Sequence, residues 1–399
     1  MPKRLQTLHL KTNHTATTVD GWNLHLVRTQ NKNRATHTFP VILLPGLGSS
    51  GAYTFDLSPD ISLADYLAEL GWDVWTIELR GNGLSDKPSL FSKRGRYWTI
   101  DTMVEKDVPA CMDHICMHTG NSMVHILGHS MGGMILTALL AQGGPTAARV
   151  RSAIIVGSSC FLEGSWWSPA LPIMPATRFL YSVPAGLALR LYSNLAFSKF
   201  AIRLIDVLYF WPSNVEVRLA KAVLSRNFSS ISPGVITQFT SAFGKQGLCS
   251  GTAPYAPFCD PEKMRRIETP VFMLCGDRDK MCPPQGVEKQ FSMMGKSNKK
   301  LVILGPPATP THYGHFCILM GRRAATEVFP LLHEWLSSYD DLDGPPEPGP
   351  PGQGSMASTP ADELLGSGGA TLGQLPRSRH SQSLYSQPVA SPILVHSRL

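Results

Sequence analysis

Between His125 and Leu136 the chain reads HILGHSMGGMIL: an apolar strand-like run, a glycine-rich corner with one serine at its centre, then a helix-like run. Gly128-His129-Ser130-Met131-Gly132 fits G-x-S-x-G, and the glycines have a steric reason. A strand that turns sharply into a helix holds the central residue in a strained conformation. The residues two before and two after it then approach closely, so side chains there would clash. The corner aims the Ser130 hydroxyl out of the sheet edge at a helix N-terminus, where unpaired N–H groups favour negative charge. The five-residue pattern alone is common. Its context, after MVHIL and before MILTALLAQ, is the one the motif requires. Ser130 is therefore read as a nucleophile, with a structural turn as the alternative.

Strand and helix signals alternate on both sides of the corner. TTVDGWNLHLVR (Thr17–Arg28) alternates around Asp20-Gly21 as a hairpin does. FPVILLPGLGSS (Phe39–Ser50) begins as a buried strand and ends in a glycine loop. SLADYLAELG (Ser62–Gly71) has helical spacing and a glycine stop, and WDVWTIELRGNGLS (Trp72–Ser85) is a strand followed by a glycine loop. Thr99–Gly120 is helical, with Pro109 expected to kink it. Ser122–Gly128 and Arg151–Ser159 read as strands on either side of a helix over Met131–Gln142. Strands within Thr269–Asp279 and Lys299–Gly305 and a last helix over Arg322–Tyr339 resume the rhythm. The alternation predicts an α/β fold with a mostly parallel central sheet and crossover helices.

Two compositional breaks interrupt it. From Cys160 to about Glu268 the chain is rich in aromatic residues, Leu and Pro, and Arg178–Trp211 reads as apolar helices interrupted at Pro184. Residues 160–268 are assigned to a helical cap inserted between a first core segment, 1–159, and a second, 269–340. Residues 341–399, rich in Gly, Pro and Ser, cannot bury enough apolar surface to fold by themselves and are expected to form a disordered tail. The net charge of +7 is spread without a long Lys/Arg block, which argues against a nucleic-acid partner. Eight cysteines form no CxxC pair and no zinc-like spacing. In a chain of 399 residues they read as reduced thiols, which fits an intracellular, cytoplasmic home, with an organelle such as the plastid as the alternative. MPKRLQTLHL carries no apolar signal core, so secretion is not expected. No charge-free run reaches the roughly 18–20 residues of a membrane span.

A nucleophilic serine needs a base, and the base an orienting acid. In this architecture the chain order is Ser, then Asp or Glu, then His. Asp279 follows the strand VFMLCG, and His315, in THYGHFCILMG, follows the next strand after a loop. Both sit at strand carboxyl ends, where open α/β sheets bind ligands. Asp277 and His312 compete with them; one of the two aspartates would then be a loop carboxylate bonded to backbone. His125, His129 and His333 lie in strand, turn and helix contexts that do not suit a base. The developing oxyanion needs donors. Met131 N–H, next to the nucleophile, is one; the second comes from the loop LLPGLGSSG (Leu43–Gly51), with Leu47 N–H first and Gly48 next. That loop lacks the spacing of a phosphate loop. The chemistry requires no metal and no cofactor.

In chain order, LLPGLG, ELRGNGLSDKP, GHSMGG, GDRDKMCPP and YGHF resemble the α/β-hydrolase fold over Thr17–Tyr339, interrupted by the cap. Within it the chain is similar to the acid-lipase branch and to acid-lipase-like hydrolases of plants and bacteria. LSPDISLADYLAELGWDVWTIELRGNGLS looks like that branch's stretch before its sharp R-G-N turn. GDRDKMCPP matches G-x-x-D-x-x-x-P, by which the resemblance places the acid on Asp279. It likewise implies Ser130 as nucleophile, His315 as base, and Leu47 and Met131 as oxyanion donors. Two positions depart: Pro45-Gly46 stands where acid lipases usually have H-G, and Met131 where their elbow usually has Gln. A serine esterase or lipase-like hydrolase is thus expected, without the acid lipases' triacylglycerol specificity or lysosomal location.

The cap bears on the substrate. It contains Phe161, Trp166, Trp167, Phe179, Tyr181, Phe197, Phe200, Tyr209, Phe210 and Trp211. About two thirds of them are expected in helix cores, and the rest are expected to line an apolar acyl pocket or to meet a lipid surface. A small apolar ester is expected over a sugar ester or peptide. Acyl transfer or thioester cleavage by the same three residues is a second reading, and a ligand receptor with little turnover a third. The tail, through RSRHSQS (Arg377–Ser383), offers a docking site for a protein, with a solvated spacer as the alternative.

Overall fold

Strand pairing follows the apolar runs. In the computed structural model, which describes residues 9–33, 35–88, 97–195, 209–253, 256–295 and 298–340, eight strands form one sheet. They are β1 (His9–Thr17), β2 (Asn23–Asn31), β3 (Val41–Leu44), β4 (Val74–Ile77), β5 (Val124–His129), β6 (Val150–Val156), β7 (Val271–Gly276) and β8 (Lys299–Leu304). The spatial order is β1-β2-β4-β3-β5-β6-β7-β8. β1 and β2 make the hairpin expected at Asp20-Gly21, where Gly21 takes a φ of 82°. β2 runs antiparallel to β4, and the remaining pairs are parallel. The expected tail, Phe197 and Phe200 lie outside the described residues.

Side chains alternate across the sheet as a two-residue period requires. Ile42, Ile126, Ala153, Ile155 and Met273 join one buried cluster; Leu43, Leu127, Ile154, Val156 and Phe272 join the other. Helices α1 (Leu63–Glu69), α2 (Val108–Thr119) and α3 (Met131–Gln142) are crossovers. Ser62 caps α1 by accepting from Asp65 N–H at 2.9 Å, and Gly71 follows it with a φ of 98°. Pro109 sits in the first turn of α2. It lacks an N–H, and the turn before it widens into a π-helical turn over Met103–Asp107, with Val108 N–H reaching Met103 O.

Between β6 and β7 the described residues add no strand to this sheet. They form α4 (Ala185–Leu195), which begins after Pro184 as read from the sequence, α5 (Val217–Arg226), α6 (Pro233–Phe239) and shorter turns. α5 buries Ala220, Val223 and Leu224 on the same face of the sheet as α1. A bridge between Ser49 and Phe228 joins this excursion to the loop after β3. Helix α7 (Pro284–Met293) then crosses from β7 to β8. The last helix, α8 (Phe329–Ser337), is shorter than Arg322–Tyr339 because a π-helical turn occupies Ala324–Val328. Pro330 sits in its first turn, where a missing N–H costs nothing. None of the eight cysteines forms a disulfide, and all but Cys116 are buried. Among the described residues no helix is long and apolar enough to cross a membrane.

Candidate active site

The corner at Ser130 has the geometry its glycines permit. Ser130 takes φ 55° and ψ −124°, a positive φ that no other described residue except glycine adopts. Its N–H donates to Val156 O at 3.0 Å, and Ser158 Oγ donates to its carbonyl at 2.5 Å, so the end of β6 clamps the turn. A Cβ on Gly128 would lie 2.5 Å from Gly132 O, and one on Gly132 would collide with Leu44 O. Bare glycines therefore let the corner close on itself and against the end of β3.

Loops after β3, β5, β7 and β8 bring the expected positions together. His315 Nε2 lies 2.9 Å from Ser130 Oγ, and His315 Nδ1 lies 2.7 Å from Asp279 Oδ2. An ionised carboxylate only accepts, so Nδ1 carries the ring proton and Nε2 offers its lone pair to the hydroxyl. Asp279 Oδ1 accepts from Met281 N–H at 2.9 Å and Cys282 N–H at 2.8 Å, which fixes the carboxylate. Asp279 and His315 are 3% and 2% exposed. Burial and then the Asp279 charge push the Cys282 thiol well above its ordinary range, so it stays protonated.

The competing residues pair with each other instead. His312 Nδ1 bonds Asp277 Oδ2, while Asp277 Oδ1 accepts from Tyr313 N–H at 3.1 Å. Asp277 thus braces the backbone just ahead of His315. For the oxyanion, Met131 is the first residue of α3. The Leu43–Gly51 loop comes so close that a Cβ on Gly46 would lie 2.9 Å from Ser130 Cβ. Among the described residues neither Leu47 N–H nor Met131 N–H donates to a protein acceptor.

Two residues passed over in the sequence hold this arrangement. His129, set aside as a turn residue, is buried, and its Nε2–H donates to His315 O at 3.3 Å. Burial and the adjacent His315 hold its pKa well below the imidazole range, so it stays neutral. Glu78, just past β4, accepts from Ser50 Oγ at 2.6 Å, Gly51 N–H at 3.0 Å and Ala52 N–H at 3.4 Å. Burial pushes its carboxyl up, against the pull of those donors. The signal was a carboxylate directly after the apolar VWTI, where a buried charge needs partners.

A cavity of about 380 Å³ opens onto Ser130 and His315, walled by Leu47, Met174, Ile236 and Phe239 among others. Trp167 and Tyr209 face it, and burial pushes the Tyr209 hydroxyl up to about 12. Phe161 and Phe210 are core, whereas Trp166 and Phe179 are 55% and 76% exposed.

A family model of the alpha/beta hydrolase fold matches residues 40–292, more than half of the chain. Lipase 3 of Drosophila melanogaster is 27% identical over 371 residues, covering 82% of this chain and 90% of that one. Gastric triacylglycerol lipase of Bos taurus is 35% identical over 129 residues, and the match spans 31% of this chain and only 32% of that lipase. A soluble variant of monoglyceride lipase from Saccharomyces cerevisiae, solved with a substrate analogue, shares the fold at a TM-score of 0.56 and 18% identity, over 86% of this chain and 99% of that one.

Proposed function

The chain belongs to the α/β-hydrolase family, in its lipase-like branch, and from that premise we propose that it cleaves carboxylic esters of apolar, lipid-like substrates. Ser130 is the nucleophile, His315 its base and Asp279 the acid that orients the base. The observation that carries this reading is the unbroken run of bonds from Asp279 through the imidazole to Ser130 Oγ, 2.7 and 2.9 Å long.

Ser130 Oγ bonds the acyl carbon as its proton passes to His315 Nε2. The carbonyl electron pair moves onto oxygen, where Leu47 and Met131 N–H groups receive it. Collapse expels the alcohol, which takes the proton from His315. Water then gives His315 a proton as its oxygen bonds the acyl carbon; collapse expels Ser130 Oγ, which takes that proton back from His315, and the acid is released. Asp279 stays ionised throughout and stabilises the imidazolium.

The cavity's apolar wall supports an apolar acyl group. The excursion between β6 and β7 acts as the cap. Ile173 lines the cavity yet is 70% exposed, and Phe179, Leu180, Leu187 and Leu191 of the same excursion are exposed too. This supports contact with a lipid surface. The test is Ser130→Ala on p-nitrophenyl esters, with fluorophosphonate labelling of the native chain. Turnover is expected to fall on the order of 10⁴–10⁶-fold and labelling to vanish; a variant that keeps most of its activity overturns the assignment.

A further inference from the structure

Strand period and helix period bring three imidazoles together away from Ser130. Thr12, His14 and Ala16 share one face of β1, and His114 and His118, four residues apart, share one face of α2. Those faces meet. One ring nitrogen from each of His14, His114 and His118 lies within 4.8 Å of the other two. His114 Nε2 and His14 Nδ1 are 3.5 Å apart, and the His114 and His118 rings stack at 4.0 Å.

Outer hydrogen bonds fix which nitrogens are free. His118 Nδ1–H donates to His114 O at 2.8 Å, which leaves the Nε2 lone pair open. His14 Nε2 lies 2.9 Å from Thr12 Oγ1; donating there leaves Nδ1 open toward His114. This is how metal-bound histidines are held, with the remote N–H anchored to an oxygen. Behind the cluster, the Trp75 ring packs 4.7 Å from His14. The nearby Arg28 cation is neutralised by Asp73 at 2.6 Å.

We propose that His14, His114 and His118 form a binding site for a late first-row divalent cation, with Zn²⁺ as the fitting ion. Bonds of about 2.0–2.1 Å in a tetrahedron place ligand nitrogens about 3.3 Å apart, close to the His14–His114 separation. A small shift of the exposed His118 side chain that keeps its bond to His114 O closes the remainder. Three imidazoles suit Zn²⁺, with Cu²⁺ binding still tighter and Mg²⁺ or Ca²⁺ excluded by the lack of oxygen ligands. The bound ion ties β1, the edge strand of the sheet, to α2. This site is independent of ester cleavage at Ser130.

The test titrates the full chain, stripped with chelator, with Zn²⁺ against a chromophoric chelator and follows its melting. One tight site per chain and a higher Tm with Zn²⁺ are expected. His118→Ala, at an exposed position, and His114→Ala should each weaken binding by about tenfold or more and abolish the Tm shift. Cys116→Ser, which removes the thiol between them, should leave both unchanged. Hydrolysis of p-nitrophenyl acetate should be the same with and without chelator. The proposal is overturned if the histidine variants titrate like the native chain, if no stoichiometric site exists, or if Cys116→Ser removes it.

Discussion

Glu78 does for the loop over Ser130 what Asp279 does for His315: it converts a flexible donor set into a fixed one. Glu78→Gln keeps the volume but turns an amide NH₂ toward the Ser50 hydroxyl or the Gly51 and Ala52 N–H groups. The loop should loosen and misplace Leu47 N–H, the donor proposed to act on the transition state rather than on bound substrate. A fall in kcat of about 10–10²-fold with KM little changed is expected from steady-state kinetics; an unchanged kcat would show that the loop holds itself. At this scale the sequence was uneven. The candidates Ser130, Asp279 and His315, which the fold brings into contact, could be picked out because each sits in a short motif that carries its own turn chemistry. Glu78 and His129 could not, because their partners are 27 and 186 residues away and no local pattern announces them.

Asp340 shows the same dependence among whole elements. It follows α8 and accepts from Thr38 N–H at 2.9 Å and Phe39 N–H at 3.0 Å, beside His37 at 3.0 Å and His125 at 3.6 Å. The end of the last helix is thereby tied to the starts of β3 and β5. Burial would raise this carboxyl, but the adjacent His125 and hydrogen bonds from His37, Phe39 and Thr38 outweigh it and hold the pKa below the ordinary 3.8. A depressed folded pKa contributes stability that is complete above the ordinary value and is lost as pH falls through the lower one. Asp340→Asn should therefore cost about 1.5–3 kcal/mol near pH 7 and leave stability less sensitive to acid below pH 4, as denaturant melts across pH would show. Elements with their own signals were legible: the Asp20-Gly21 hairpin, α1 with its glycine stop, and the largely apolar α3. Helix α7 was not, because it buries only Gly286, Val287 and Gln290 and so carries almost no apolar period.

Across the molecule, the alternation of elements foretold a mostly parallel sheet, but not that β4 slots between β2 and β3. That order is set by which strand edges find partners, a long-range matter. The exposed apolar residues of the excursion, with Ile173 reaching both the cavity and solvent, predict a dependence on substrate aggregation. Turnover of a short-chain lipid ester should rise steeply above its critical micelle concentration. Phe179→Ser with Leu187→Ser should flatten that rise while leaving turnover of monomeric ester unchanged. Stability and turnover also pull against each other at Ser130, whose φ of 55° is one that glycine adopts freely. Ser130→Gly should melt higher than the native chain, by about 1 kcal/mol in scanning calorimetry, while losing all turnover. A descendant released from its reaction would thus grow sturdier by forgetting it, and a glycine at this corner would be the mark of that retirement.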